Sequence, residues 1–300
     1  METCLTARDN RTDHLEYAAC DICQKANPEH MFQENGFYLN RCKGCGHFYV
    51  SPRPTEGNTH HVERWDLPAP ADHATHELSR TTEFEAYVTY ARRHLARGTW
   101  LDIGCGCGTL LNIASRAGFK VEGVETDPER ATYCRRSGLN VHDRDIMRNF
   151  LTPSSYDVVS MINVFSHLRS PTTAFASLHR LLRPGGLILV ATSQLGRRAY
   201  KSEVPDWHIP DHLHFAGPET FKRIADTIGF ELYCVRSQPT QKALICQKLV
   251  YRSEKRAFRA AKKVLGSVPG LIDISALAVC CARRYLYPRR EVVMLFVRKG

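Results

Sequence analysis

Apolar runs and helical periodicities alternate along the chain between residues 99 and 240. TWLDI (99–103) is short, apolar and partly β-branched, which predicts a buried strand. LLNIASRAG (110–118) places apolar residues on one helical side and ends in a glycine, which predicts a helix with a defined stop. FKVEGVE (119–125) predicts the next strand. Strands and helices that alternate in this way predict an α/β domain.

Three glycines, Gly104, Gly106 and Gly108, lie between the first of these strands and the helix. Glycine permits backbone conformations that a Cβ would forbid, and it lets a ligand approach closely. In a nucleotide-binding βαβ unit, an acid about 20 residues past the glycines accepts hydrogen bonds from ribose hydroxyls, and Glu125 has that position. The third glycine comes one position earlier than in the dinucleotide fingerprint, with Thr109 in its place, which disfavours a pyrophosphate site.

The glycine segment LDIGCGCGTLL (101–111) resembles motif I of the class I S-adenosylmethionine-dependent methyltransferases, whose cofactor has a ribose and no phosphate. The resemblance continues in order through the family's later strands and helices. The segments that carry it are YDVVSMINVFSHL (156–168), LHRLLRPGGLILVATS (178–193), PETFKRIADTIGFELYCVRS (218–237) and EVVMLFVRKG (291–300). Among such enzymes the chain is most similar to ubiquinone-type O-methyltransferases and to small-molecule and glycan methyltransferases.

The resemblance implies a Rossmann-like, seven-stranded methyltransferase sheet, with a core over 99–240 and a last strand over 289–300. It implies S-adenosylmethionine as cofactor and a small-molecule or glycan acceptor, with O-methylation as the expected reaction. An acid near the adenine follows the LNVH segment, where Asp145 is preferred and Asp143 is the alternative. The implied cofactor contacts are Asp102, Gly104, Gly106, Glu125, Asp145, Ile146 and Asn163.

Two segments at the carboxyl edge of the predicted sheet carry candidate acceptor-side residues, since ligands of α/β sheets bind at that edge. A hydroxyl acceptor needs a base that takes its proton, whereas a neutral amine needs only alignment. In WHIPDHLHF (207–215), His212 is the first choice for this base. Its neighbours His208, Asp211 and His214 are candidates to orient it or to tune its pKa.

His167 is the second candidate, since it follows the fourth strand of the predicted sheet. Two other roles remain open for it, a helix cap or a wall of the pocket. Alignment of the two reactants without any general base is a further alternative, because methyl transfer from a sulfonium is an in-line displacement.

The N-terminal region, residues 1–55, carries two Cys-x2-Cys pairs that are separated by 18 residues. This spacing is typical of zinc sites, and four thiolates complete a tetrahedral structural site with no open position. The residues between the pairs, HMFQENGFYLNR, predict the β-hairpin of a zinc ribbon. The predicted ligands are Cys20, Cys23, Cys42 and Cys45, with His47 as a competing donor.

Residues 56–98 connect this ribbon to the core. EGNTHHVERWDLPAPADHATHE (56–77) is polar, proline-bearing and rich in histidine, which predicts a linker, although its histidines are also candidate metal ligands. ELSRTTEFEAYVTYARRHL (77–95) has apolar residues at helical spacing, which predicts one helix. The resemblance places that helix over the cofactor.

The charge of the chain is concentrated near its C-terminus. Residues 236–300 hold 15 Lys and Arg against 3 Asp and Glu, a net of +12, while the whole chain carries +10. Residues 241–288 predict a basic helical insertion before the last strand. Its open interpretations are a cover for the active-site mouth or a dimer face, a peripheral membrane contact through 247–288, and a nucleic-acid contact.

These patterns also bear on localisation and on competing functions. The sequence lacks an apolar segment after Met1, so we expect no secretory signal. No run reaches about 18 apolar residues, so we expect no membrane-spanning helix. Twelve cysteines without a signal favour a reducing compartment, so the prediction is a cytoplasmic protein, with peripheral contact at the inner face of the membrane as an option. The alternatives to a small-molecule enzyme are an RNA methyltransferase and a non-catalytic, cofactor-binding zinc scaffold.

Overall fold

The computed structural model describes residues 14–55, 69–194, 207–239 and 290–298. The predicted insertion, 241–288, lies outside the described residues. Thirteen strands are assigned in the described part of the chain: β1 (Leu15–Glu16), β2 (Pro28–Glu34), β3 (Phe37–Cys42), β4 (Phe48–Val50), β5 (Arg53–Pro54), β6 (Thr99–Ile103), β7 (Lys120–Glu125), β8 (Val141–Asp143), β9 (Tyr156–Ile162), β10 (Leu182–Gln194), β11 (His214–Phe215), β12 (Phe230–Pro239) and β13 (Arg290–Arg298).

The helices of the described residues begin at sequence signals that are easy to recognise. Four of them have proline in the first turn, where its missing N–H costs no hydrogen bond. The helices are α1 (Pro70–Ser79), α2 (Thr81–Arg92), α3 (Thr109–Arg116), α4 (Pro128–Arg136), α5 (Pro171–Leu181) and α6 (Pro218–Ile228).

The larger sheet has the strand order β12-β13-β10-β9-β6-β7-β8. The pairs from β10 to β8 are parallel, and β13 runs antiparallel to both of its neighbours. Helices cover both faces, so successive residues of one strand enter different cores. In β10, Ile188 and Val190 pack with α5 and α6, whereas Leu187 and Leu189 pack with α2 and α3. This arrangement is the predicted α/β fold.

The segment before β6 forms two helices, although its periodicity predicted one helix over 77–95. α1 begins at Pro70, inside the stretch that was predicted to be a linker, and the chain breaks at Arg80, which lies outside helical geometry. The Arg80 guanidinium pairs with Glu83 and lies 4.9 Å from the centre of the Phe84 ring. Both contacts stabilise the break, and α1 consequently turns towards the glycine segment.

The smaller sheet, with order β11-β4-β3-β2, contains the predicted hairpin of the N-terminal region. β2 and β3 are joined by Asn35 and Gly36, both of which have positive φ, as a tight hairpin turn requires. The fourth strand was not predicted. β11 lies more than 150 residues further along the chain than β4, yet it pairs antiparallel with it.

An apolar cluster joins the two sides of this smaller sheet. Leu39, Phe48 and Val50 from the ribbon pack with Trp207, Ile209, Leu213 and Phe215 from the later segment, and all seven are buried. The Trp207 ring lies 4.9 Å from Phe32 and 5.1 Å from Phe215, measured between ring centroids. The ribbon and the 207–215 segment therefore share one hydrophobic core.

Hydrogen bonds from the hairpin turn hold the backbone of this segment on both sides of His208. The Glu34 carboxylate accepts from the backbone N–H of Trp207 at 3.1 Å and from that of Ile209 at 3.3 Å. The Asn35 side chain donates to the Ile209 carbonyl at 2.8 Å. His208 itself has a φ of +53°, a conformation that costs energy for a residue with a Cβ, so these contacts stabilise it.

In the part of the chain that the structure describes, no helix combines the length and the apolar character that a membrane crossing requires.

We predict that Trp207→Ala destabilises the protein by about 3–5 kcal/mol, because it leaves a cavity in the core that the ribbon shares with the 207–215 segment. Chemical denaturation followed by circular dichroism measures the change. Tyr17→Ala is the matched control, since the Tyr17 side chain is 86% exposed, and we expect its midpoint to stay close to that of the unmodified protein. Equal midpoints for both variants would contradict a shared core.

Candidate active site

The glycine segment forms a tight turn between β6 and α3. The backbone N–H groups of Gly104 and Cys105 both donate to the Val124 carbonyl, at 2.7 and 3.1 Å. Gly104 has φ +66°, and a Cβ there would lie 2.4 Å from a Val164 methyl. Gly106 has φ +58°, and a Cβ there would lie 2.0 Å from a Glu77 carboxylate oxygen. Conformation and space therefore both require glycine at these two positions.

The Glu125 side chain links this turn to the start of α4. One carboxylate oxygen accepts from the Gly106 N–H at 2.8 Å, and the other accepts from the Asp127 N–H at 3.0 Å. The residue is buried. A carboxylate has about four acceptor positions, so these two bonds leave it able to accept hydrogen bonds from a ligand hydroxyl.

A cavity of about 960 Å³ opens above the carboxyl edge of the larger sheet. This volume lies at the upper end of the range of ligand pockets, about 300–1,000 Å³, and offers room for a cofactor together with an acceptor. All seven residues that the sequence nominated for the cofactor line it: Asp102, Gly104, Gly106, Glu125, Asp145, Ile146 and Asn163.

Asp145 is the acid that faces this cavity, as preferred from the sequence; Asp143 is not among the lining residues. The Asp145 carboxylate accepts from the Met147 N–H at 2.8 Å and so caps the 3₁₀ turn Ile146–Arg148. Asn163, at the end of β9, has a φ of +58°, and its N–H donates to the Ala191 carbonyl at 2.8 Å. Both residues are thus fixed by their own backbone contacts.

Asp102 is the carboxyl group buried deepest in the site. Burial raises its pKa to about 8, against the opposing effect of a hydrogen bond that the Ser160 hydroxyl donates at 2.5 Å. A cationic ligand group beside it would favour the charged carboxylate, since an opposite charge lowers the pKa of an acid. Asp102 is therefore suited to pair with an ammonium group.

The sequence did not predict that α1 reaches this site. The Glu77 carboxylate accepts from the backbone N–H groups of Cys107 at 3.0 Å and Thr109 at 3.3 Å, at the N-terminus of α3. Burial acts to raise the pKa of Glu77, but hydrogen bonds from His73, Cys107 and Thr109 outweigh it, and the pKa is lowered. His73 and His76, predicted to lie in a linker, line the cavity from α1. Pro70 was the available signal, because proline often opens a helix.

Of the acceptor-side candidates, His167 lines the cavity, whereas Asp211, His212 and His208 lie beside it and are not among the lining residues. His167 belongs to the 3₁₀ turn Phe165–His167 after β9. Its Nδ1 lies 3.4 Å from an Asp211 carboxylate oxygen and 3.1 Å from the Asp211 carbonyl oxygen. The His167 and His212 rings are 4.7 Å apart, and those of His208 and His212 are 5.6 Å apart.

Burial and the nearby His167 lower the pKa of His212 to about 4, so its imidazole is neutral at physiological pH. The pKa of Asp211 is also lowered, since the hydrogen bond and the charge of His167 outweigh burial, so Asp211 is ionised. One carboxylate and three imidazoles thus lie together beside the cavity, and His167 is the one of them that lines it.

His214, proposed from the sequence as a neighbour of His212, belongs instead to the joint with the ribbon. Its Nδ1 shares a hydrogen bond of 3.0 Å with Nε2 of His47, and both rings are buried. Burial lowers the pKa of both histidines, that of His214 to about 3. His47, the competing zinc donor, is therefore engaged with His214 and not with the cysteines.

The four cysteines of the ribbon come together in two matching turns. In the first turn the Gln24 N–H donates to the Cys20 carbonyl at 2.7 Å. In the second turn the Gly46 N–H donates to the Cys42 carbonyl at the same distance. Gln24 and Gly46 both have positive φ. The sulfur atoms of Cys20 and Cys45, and those of Cys23 and Cys42, are 3.5 Å apart, and all four lie within 4.8 Å of one another. Zn–S bonds of about 2.3 Å place tetrahedral sulfurs ~3.8 Å apart, so this donor set fits zinc.

Comparison with known proteins agrees with this fold and this site. Residues 58–235 match the model of a protein family described as "Methyltransferase domain", and the chain therefore belongs to that family. The match shows a methyltransferase, as predicted from the glycine segment, and the solved structures below share its fold.

The curated relatives are ubiquinone biosynthesis O-methyltransferases. The protein of that name from Methylococcus capsulatus is 29% identical over 147 residues, which cover 47% of this chain and 61% of the relative. The one from Pseudomonas paraeruginosa is 30% identical over 116 residues, which cover 36% of this chain and 50% of the relative. The chain therefore spans only about half to three fifths of the length of these relatives.

Solved structures share the fold at low identity. The 1,6-didemethyltoxoflavin-N1-methyltransferase of Burkholderia thailandensis aligns with a TM-score of 0.55 at 13% identity, over 92% of this chain and 100% of that one. Phosphoethanolamine N-methyltransferase 2 of Haemonchus contortus, in complex with S-adenosyl-L-methionine, aligns with a TM-score of 0.52 at 15% identity, over 72% of this chain and 52% of that one.

We predict that Glu125→Gln weakens binding of S-adenosylmethionine at least about tenfold, because a charged hydrogen-bond acceptor contributes about 1.5–3 kcal/mol. Isothermal titration calorimetry measures the dissociation constant. Glu129→Gln is the matched control, since Glu129 lies exposed on α4, close to the same turn. Unchanged affinity in Glu125→Gln, with the control also unchanged, would remove Glu125 from the cofactor site.

Proposed function

We propose that this chain transfers a methyl group from S-adenosylmethionine to a hydroxyl oxygen of a small-molecule acceptor. The observation that carries the proposal is the single cavity that joins the glycine turn, Glu125 and Asp145 to His167 at its mouth. One wall has the groups that a nucleoside with an amino-acid tail needs. The other has His167, with Asp211 and His212 next to it, and these groups suit an acceptor whose proton must leave.

On the donor side, Glu125 would accept from the ribose hydroxyls, and Asp145 would lie near the adenine. Asp102 would face the ammonium group, and the bare backbone at Gly104 and Gly106 would leave room for the ligand. When bound, S-adenosylmethionine supplies an electrophilic methyl group on a sulfonium sulfur. The residues of the chain would hold this group in line with the acceptor oxygen and exclude water from the site.

On the acceptor side, His167, Asp211 and His212 would receive the hydroxyl group and its proton, with His208 beside them. His212 is the group proposed to act as base, because its ring lies 4.7 Å from that of His167, which lines the cavity. Its lowered pKa keeps the ring neutral at physiological pH and makes it a weaker proton acceptor than an ordinary histidine. The choice of oxygen is supported by the O-methyltransferase relatives, whose names describe their own reactions.

We also propose that Cys20, Cys23, Cys42 and Cys45 hold one structural zinc ion. A four-thiolate site has no open position for a substrate, so the ion would act on the fold. It would fix the two turns that flank the β2–β3 hairpin, and the hairpin in turn holds the 207–215 segment through Glu34 and Asn35.

The reaction is tested with methyl-labelled S-adenosylmethionine and a fractionated cell extract. We expect label in a small-molecule fraction, and we expect hydriodic acid to release it as methyl iodide, as it does from methyl ethers. The Glu125→Gln variant controls for transfer without the cofactor site. Label in glycans or RNA would assign a different acceptor, and binding of the cofactor without any transfer would indicate a non-catalytic scaffold.

For the zinc site we predict one zinc ion per chain in the purified, tag-free protein, measured by inductively coupled plasma mass spectrometry. Cys45→Ser should lower the zinc content well below one ion per chain, because it removes one of four ligands. Cys134→Ser is the matched control, since Cys134 is a buried cysteine outside the cluster. Protein without zinc, purified in the absence of chelators, would refute the site.

A further inference from the structure

Three side chains beside the cavity have the composition of a metal site that the reaction above does not require; one of them, His167, lines the cavity. His167, Asp211 and His212 each place one donor atom so that all three lie within 4.8 Å of one another. His167 Nδ1 and an Asp211 carboxylate oxygen are 3.4 Å apart. Two imidazoles and one carboxylate form the donor set of open divalent transition-metal centres.

The backbone that carries these three residues is held from two sides. The Leu213 N–H donates to the Ser166 carbonyl at 2.7 Å, and the Leu213 carbonyl accepts from the Val50 N–H at 2.9 Å. Leu213 directly follows His212, and Ser166 directly precedes His167. One hydrogen bond therefore fixes the spacing of the backbone at the two histidines, and the ribbon holds the residue that makes this bond.

The groups that face Asp211 are imidazoles, which ligate metal ions when they are neutral. Within the described residues, the groups that act on its carboxylate are His167, His212 and His208. The guanidinium of Arg169, which lines the cavity as His167 does, pairs with Glu16 and donates to the Pro54 carbonyl. The side chains of His167 and Asp211 are 41% and 46% exposed, so they can rotate to close around an ion and still leave positions open to the cavity.

We propose that His167, Asp211 and His212 bind a divalent transition-metal ion, such as Zn²⁺, Mn²⁺ or Fe²⁺, whose open positions take the hydroxyl oxygen of the acceptor. The second part of this statement rests on the proposed function; the binding of the ion does not.

An oxygen bound to such an ion loses its proton more readily, because the cation stabilises the resulting anion. The proton would pass to solvent water, and the oxygen would form a bond to the methyl carbon of the donor. The electron pair of the broken carbon–sulfur bond would remain on sulfur. The cation would therefore replace His212 as the means of deprotonation, and it would favour acceptors with a second oxygen able to chelate.

The test is a titration of the full-length chain, with its cysteine cluster loaded with zinc, using Co²⁺ alone as the probe. We expect one equivalent of cobalt, with visible d–d absorption and without the near-ultraviolet band of a cobalt–thiolate bond. Asp211→Asn and His212→Ala should each weaken binding at least about tenfold. His94→Ala is the matched control, since His94 follows α2 and contacts the Gly185 carbonyl.

Three results would overturn the proposal. One is no cobalt bound beyond the cysteine cluster, and another is equal affinity in the variants and the control. The third is a thiolate band, which would place cobalt with the cysteines or at the cluster of His73, Glu77 and Cys107.

Circular dichroism spectra and zinc content that match the unmodified protein show that the variants are folded. Cobalt binding at His212 in a protein without methyl transfer supports the metal site and counts against the proposed function. A further outcome is O-methyl transfer in protein from which every ion except the ribbon zinc has been removed. This result would support the proposed function and overturn the role of the cation.

Discussion

The pairing of β11 with β4 is the constraint on which the acceptor side of this protein depends. It pairs the two residues of β11 with the ribbon. The adjoining Leu213 makes backbone hydrogen bonds to Val50 of the ribbon and to Ser166 of the larger domain. The buried pair of His47 and His214 lies along the same joint. His167 and His212 keep their relative position only while this joint persists.

The cofactor side has a different physical origin. It is built within about 60 residues of chain, from the turn at Gly104 and Gly106, from Glu125 at the end of β7 and from Asp145 just after β8. Here local backbone geometry and the parallel sheet suffice, because the carboxyl ends of neighbouring strands meet at one edge. The two halves of the cavity thus depend on different parts of the molecule. On the donor side, α1 contacts the glycine segment through Glu77, which accepts from the Cys107 N–H.

This difference explains what the sequence could and could not predict. The seven candidate cofactor residues come from the glycine spacing and from the family resemblance of the segments that follow, and all seven line the cavity. β11 has only two residues, too few for any periodicity, and its partner lies more than 150 residues away. His214 was therefore predicted to lie beside His212 on the acceptor side. In the structure its side chain points instead towards the ribbon, where it contacts His47. α1 was missed because its polar, histidine-rich surface resembles a linker, and Glu77 was therefore not assigned a ligand-like contact. The basic insertion, 241–288, lies outside the described residues.

The match to the methyltransferase family begins at residue 58, after the ribbon, and ends at 235. That boundary passes between strands that share backbone hydrogen bonds, since β11 lies inside it and β4 lies outside. A recombination event, or a chimera made at residue 58, would separate an acceptor loop from the template that shapes it. The ribbon and the 207–215 segment should consequently be inherited, and exchanged between related enzymes, as a matched pair.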